Sequence, residues 1–258
     1  MARIALTANT TFYISTTGSD ATGDGSVGNP WRTIQHGVDY ICNSLDLVNF
    51  HAILQLAPGT YAENVIVRGY VSGALQTHVG FPTIKGDVAN PSAYVIEGGS
   101  GIAIFGGSIS YGWLVQGVKL QATSGGTCVE SDDAIHILLD SVEFGNAGIH
   151  CMALYTGMIK FISNGYTISG GANVHLYSEA HGQIVAQPGH TNTLVGNPNF
   201  SLMFAACFNG SLINMRGQTY SGTATGKQYD VESGGVLMLA GTTLPGNVAG
   251  TNTGGFVS

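Results

Sequence analysis

Charge is what this sequence has least of: only 9% of its 258 residues are Asp, Glu, Lys or Arg. Its eight basic residues face fifteen acidic ones, for a net charge of −7, so it lacks the basic footprint that nucleic-acid binding requires. No window approaches twenty consecutive apolar residues, which leaves no candidate membrane span. Residues 1–10 lack the basic start and long apolar stretch of a secretory signal. Cysteine is sparse as well. Cys42, Cys128, Cys151 and Cys207 include no pair with zinc-site spacing and form no pattern of a disulfide framework, so free, buried thiols are expected. The histidines do not share one column, and nothing in the sequence calls for a metal or a cofactor. Glycine is abundant, at 39 residues, but it has no Gly-X-Y period, and apolar residues reach 44%; collagen and disorder are both excluded.

What the sequence does have is a repeat. Val115-Gln116-Gly117-Val118-Lys119-Leu120 is answered 24 residues later by Leu139-Asp140-Ser141-Val142-Glu143-Phe144, and again by Ser163-Asn164-Gly165-Tyr166-Thr167-Ile168. With the small corner residue as marker, the phase runs Gly117, Ser141, Gly165, Gly189, Gly217 and Gly241, one interval being stretched by four residues near Gly196-Asn197-Pro198-Asn199. Four positions earlier stands an apolar column: Trp113, Ile137, Phe161, Val185, Ile213 and Leu237. β-prone runs at this period with glycine corners mark a solenoid, whose coils bury a core only when stacked. The column predicts six inward side chains on successive coils. Cys128 and Cys151, 23 residues apart rather than 24, are expected on opposite faces of their sheet.

Ahead of the repeat, Thr11–Ser15 reads as a strand and residues 17–26 as a turn-rich loop. Asn29 is placed to cap a helix with Pro30 at its first position, followed by Ile34, Val38, Ile41 and Leu45 at helical spacing. Three segments result: 1–51 with the strand, loop and capping helix, 52–245 with the solenoid, and 246–258 as a tail. Residues 68–91 read as a loop-bearing coil.

The candidate chemistry lies at Glu130-Ser131-Asp132-Asp133, which is followed one repeat later by Tyr155 and Thr156 and two repeats later by Glu179 and His181. Coils stack about 4.8 Å apart, so Asp132 or Asp133 and Glu179 would sit roughly 10 Å apart on one ridge. That lies near the upper end for an inverting acid and base with a water between them. The candidate catalytic residues are therefore Asp132, Asp133, Glu179 and His181, with Glu232 further along. The alternative is that these are solvated corner residues. Tyr111, Trp113, Tyr155, Tyr166, Tyr177, Tyr220 and Tyr229 could in part form a sugar-stacking surface, although Trp113 belongs to the apolar column and is expected in the core.

Tyr13-Ile14-Ser15 leading into Gly18-Ser19-Asp20, Asn29-Pro30-Trp31, Thr33-Ile34-Gln35 and Leu54-Gln55-Leu56-Ala57-Pro58-Gly59-Thr60-Tyr61 resembles the start of right-handed parallel β-helix proteins of the pectin-lyase-like superfamily. The resemblance implies an all-β solenoid whose N-terminal helix plugs its open end. The tail, Thr243 to Gly255, resembles those of phage and prophage tail-appendage (tailspike-like) proteins. That implies a structural or glycan-binding homotrimer on a phage-tail-like particle, made in the cytoplasm. The alternative it implies is a polysaccharide lyase or glycoside hydrolase. Polygalacturonases of this fold carry Asn-Thr-Asp, Asp-Asp, Gly-His-Gly and Arg-Ile-Lys; here stand Asp132-Asp133 and Ala180-His181-Gly182, with no Arg-Ile-Lys. A partner is also expected from the residues. The neighbouring column, Leu114, Leu138, Ile162, Ala186, Asn214 and Met238, is largely apolar too, and a strand apolar on both faces needs cover on both.

Overall fold

The corners set the architecture. Gly117, Ser141, Ser163, Gly189, Gly217 and Gly241 all have φ between +53° and +90°, and each ends a short strand by turning the chain sharply. The computed structural model describes residues 3–68, 71–74, 80–107, 112–133 and 135–258; Tyr111, His78 and part of the loop-bearing coil at 68–91 lie outside them. The described strands form three long parallel sheets of ten, seven and eight strands, plus a small two-stranded one. Each coil contributes one strand to each long sheet in turn, giving a right-handed parallel β-helix. Thr10–Ile14 pairs with Ala52–Leu56, and Thr251–Thr253 pairs with Thr225–Glu232, so both end segments take part in the ladder.

The inward column of the ten-stranded sheet is Trp113, Ile137, Ile159, Ile184, Ile213 and Leu237, each fully buried. Two positions differ from the 24-residue expectation. The third corner is Ser163, not Gly165, which shortens that coil and brings Phe161 beside Leu139. A slip of two residues keeps the same face, so Phe161 still points inward, and it is 3% exposed. A slip of one does not: Val185 pairs with Lys160 and faces out. The outward row is thus Leu114, Leu138, Lys160, Val185, Asn214 and Met238, and Ala186 lies in the core. Part of this outer face is covered by the chain itself, since Phe81 packs with Leu114, Leu138 and Ile162.

Inside, the seven-stranded sheet stacks Tyr61, Ile96, Leu120, Phe144, Ile168 and Leu194. Fully burying an apolar side chain of this size stabilises by about 1.5–3 kcal/mol, which is what holds one coil on the next. Cys128 and Cys151 are both inside, contrary to the alternation argument, because Cys128 and its neighbour Val129 are both fully buried and Cys151 is the register partner of Val129. All four cysteines are free and buried.

The helix runs Ile34–Ser44 and buries Ile34, Val38 and Ile41 over the first coil, followed by Leu45. Its cap is Thr33, whose hydroxyl accepts from the His36 N–H at 3.2 Å; Asn29 instead bridges to Ser26 within the loop. Two carboxylates explain the later start. Asp20 accepts from the N–H groups of Arg32 and Thr33 and from the Thr33 hydroxyl. Glu63, from the next coil, accepts from the N–H groups of Ile34 at 2.9 Å and Gln35 at 3.0 Å. The first-turn donors that a helix leaves open are thereby paired.

Candidate functional site

The corner between the eight-stranded and ten-stranded sheets is the ridge that the repeat pointed to. Ser131, Ala153, Ser178, Cys207 and Val231 pair in register, so the residues after them start the corner: Asp132, Leu154, Glu179, Phe208 and Glu232. Asp133, Tyr155, Ala180, Asn209 and Ser233 follow, all with φ between +45° and +52°. Next come Thr156, His181, Gly210 and Gly234, with φ between +68° and +77°. Asn-Gly and Ser-Gly suit such left-handed pairs, but Tyr155-Thr156 and Ala180-His181 do not. A β-branched residue at positive φ is strained, at a cost on the order of 1–3 kcal/mol, and such strain persists where neighbours enforce it. One of these corners directly follows Glu179 and the other lies one coil before it.

The ridge brings Asp132 and Glu179 onto one line but two coils apart, about 10 Å, with Leu154 on the rung between. Glu179 is engaged: the Tyr177 hydroxyl and the Asn209 side-chain N–H at 2.7 Å both donate to it. His181 and Asp133 are exposed on the corner. Asp132 is different. Its Oδ1 is buried without a hydrogen-bond partner among the described residues, and burial, reinforced by the charge of Asp133, raises its pKa.

Two residues before Asp132, Glu130 occupies an outward position of the eight-stranded sheet between Phe105 and Met152. It is 9% exposed, and its carboxyl group makes no hydrogen bond or ion pair among the described residues. Burial, with a further contribution from Asp132, pushes it up to about 7. Glu130 lies on the strand and Asp132 is the first residue of the corner after it, about 7 Å along the chain direction, near enough for the charge of Asp132 to act on Glu130. Such a pair can hold one proton between two desolvated groups, the arrangement that separates an acid from a base near neutral pH. Spacing by whole repeats could not single out Glu130, because the signal is burial between Phe105 and Met152 rather than periodicity.

A second polar group lies inside the solenoid. His150 Nδ1 and His175 Nδ1 are 2.9 Å apart, His150 Nε2 is 2.8 Å from the Gly145 carbonyl, and His175 Nε2 is 3.1 Å from the Tyr166 hydroxyl. A carbonyl only accepts, so His150 carries its proton on Nε2 and its Nδ1 accepts from the Nδ1–H of His175. His175 Nε2 then accepts from Tyr166, whose oxygen is 3.1 Å from the Tyr220 hydroxyl. Both imidazoles are neutral donors and acceptors in a fully buried chain, and burial lowers the pKa of each. His150 and His175 thus do share a column, inside the core. Among the described residues, no group of three or more His, Cys, Asp or Glu could hold a metal ion. No described helix is long and apolar enough to cross a membrane.

The strand ladder thus defines the fold class, a right-handed parallel β-helix. Among solved structures the chain is similar to pectin methylesterase from carrot, with a TM-score of 0.45 and 13% identity over 94% of this chain and 82% of that one. No family model and no curated protein matches it in sequence.

Proposed function

We propose that this protein is a glycan-binding structural β-helix of the phage or prophage tail-appendage kind, assembled as a homotrimer. In this reading an extended polysaccharide lies along the outer face of the eight-stranded sheet and the adjoining ridge. The observation that carries it is the Glu130–Asp132 pair: two desolvated carboxyls without internal partners, on a face that also presents Phe105, Met152 and Tyr177. Unpartnered polar groups seek hydrogen bonds, and sugar hydroxyls supply them while the sugar's apolar faces stack on aromatic rings. Tyr155, 59% exposed on its strained corner, adds a ring at the rim.

A second reading is a glycoside hydrolase or polysaccharide lyase, favoured by the same pair. Glu130, at about 7, would be the proton donor, Asp132 its charged neighbour, and Asp133, Glu179 and His181 would flank the substrate. One experiment tests both. A panel of bacterial and plant polysaccharides is assayed for binding by calorimetry and for cleavage by new reducing ends or unsaturated products. Binding lost in Glu130→Gln and Asp132→Asn without any cleavage supports the appendage reading. Cleavage abolished by the same substitutions supports the enzyme. No binding and no cleavage across the panel overturns both.

A further inference from the structure

The outer face of the ten-stranded sheet divides into two halves. Toward the helix, Phe81 seals Leu114, Leu138 and Ile162, each at most 7% exposed. Further along, the apolar outward positions are Met158, Val185, Leu212, Val236 and Met238, all half-buried, with Phe256 at 55% exposure, and Gln183 and Asn214 stand among them. No described residue closes a second cluster over them. The charges on this half are all of one sign. Lys160 projects from the outward row. Arg216 folds back onto the same face, its Nε donating to Asn214 Oδ1 at 3.2 Å. Neither has an acidic partner among the described residues. Asp140, at the end of its strand, is 4% exposed and already accepts from Gln116 and Asn164.

An apolar face with two unpaired cations on a chain of net charge −7 needs an acidic partner, and the chain carries one on the next edge of the solenoid. The ridge presents Asp133 and Glu232 exposed and Glu179 half-exposed. Heights along the axis match. The strand of Lys160 pairs with His136–Asp140 and Gln183–Ala186, the strands that follow Asp133 and Glu179. The strand before Arg216 pairs with Gln183–Ala186 and Val236–Met238, which follow Glu179 and Glu232. In a parallel copy at the same height, Lys160 therefore lies within one coil, about 5 Å of axial rise, of Asp133, and Arg216 within one coil of Glu232. Glu179 between them already accepts from Tyr177 and Asn209. A two-fold contact of face on face would instead set Lys160 and Arg216 against their own copies.

We propose that this half-face docks the acidic ridge of a second copy of the same chain, parallel and in register. The contact is heterologous and without axial offset, so successive copies close into a ring where the rotation between them divides a full turn. This rests on the homo-oligomer reading above and specifies its two surfaces.

The test is molar mass by light scattering on the full chain. Wild type is expected at a multiple of 26.7 kDa. Lys160→Glu with Arg216→Glu should fall to the single-chain mass, as should Asp133→Lys with Glu232→Lys. Combining all four reversals in one chain should restore the wild-type mass, which a merely damaged fold could not do. Val185→Asp attacks the same face without altering either charged group and should also give single chains, with circular dichroism checking the fold. A single-chain wild type, or reversed variants that stay folded at wild-type mass, overturns the interface. Glycan binding is scored separately. A ring without glycan affinity upholds the interface and overturns the glycan reading, while a single-chain wild type that binds glycan does the reverse.

Discussion

Thr156, a β-branched residue at φ +70°, occupies a position where the equivalent corner residues two and three coils on are Gly210 and Gly234. Replacing Tyr155-Thr156 by Asn-Gly relieves that strain, and urea unfolding should show a gain of about 1–2 kcal/mol together with weaker glycan binding. The buried histidines set a different dependence. His150 is held down at about 4 in the fold and His175 is lowered as well, against about 6.5 in the unfolded chain. Between those limits the unfolded chain binds more protons, so the stability that the neutral pair contributes is intact above pH 6.5 and declines as pH falls. The slope is about 1.4 kcal/mol per pH unit per histidine. Glu130 acts oppositely, since its folded value of about 7 exceeds the ordinary carboxylate value of 4.5, and its ionisation weakens the fold as pH rises between them. Urea midpoints from pH 7 to pH 4 in the Glu130→Gln background should therefore fall steadily. A flat profile would mean that the His150–His175 chain is already open.

Among the elements, the strand Met158–Phe161 shows how corners govern packing. Phe161 keeps its inward face despite the shifted register because the corner moved by two, and its ring meets Phe144 and Tyr166 at centroid distances of 6.3 and 4.6 Å. Phe161→Ala should cost about 3–5 kcal/mol in urea unfolding. The helix has its own dependence on the coil above. Glu63→Ala removes the acceptor of two first-turn N–H groups, and the loss should be about 1–2 kcal/mol, whereas Glu63→Gln keeps an acceptor and should lose less.

For the whole molecule, the helix seals one end of a stack whose strand edges would otherwise be open. Deleting residues 29–47 should expose Ile14, Leu54 and Leu56, with the edge of the first coil, and give aggregates in dynamic light scattering. A deletion variant that stays discrete would show that the stack closes without it. At the same scale, the chain of hydrogen bonds from Tyr220 to Gly145 spans several coils, so acid should loosen the middle of the solenoid before its helical end.

The period, the apolar columns and the glycine corners determine by themselves that this chain is a solenoid with an N-terminal helix. Burial of a shared core by short repeats leaves little else for such a pattern to form. The ridge that joins Asp132, Asp133, Glu179 and His181 also follows from the period, because a short coil from Ser131 to Ala153 and a longer one from Ala153 to Ser178 together come within one residue of two repeats. What only the tertiary structure decided lies where coil lengths differ or where partners come from distant segments. Ser163 replacing Gly165 as a corner, Val185 turning outward and Thr33 taking the cap from Asn29 all depend on local backbone closure. The desolvation of Glu130, the proton order along His150 and His175 and the cover supplied by Phe81 depend on which side chains meet in space. Periodicity fixes which residues share a column; burial and charge around each depend on neighbours that no single repeat contains.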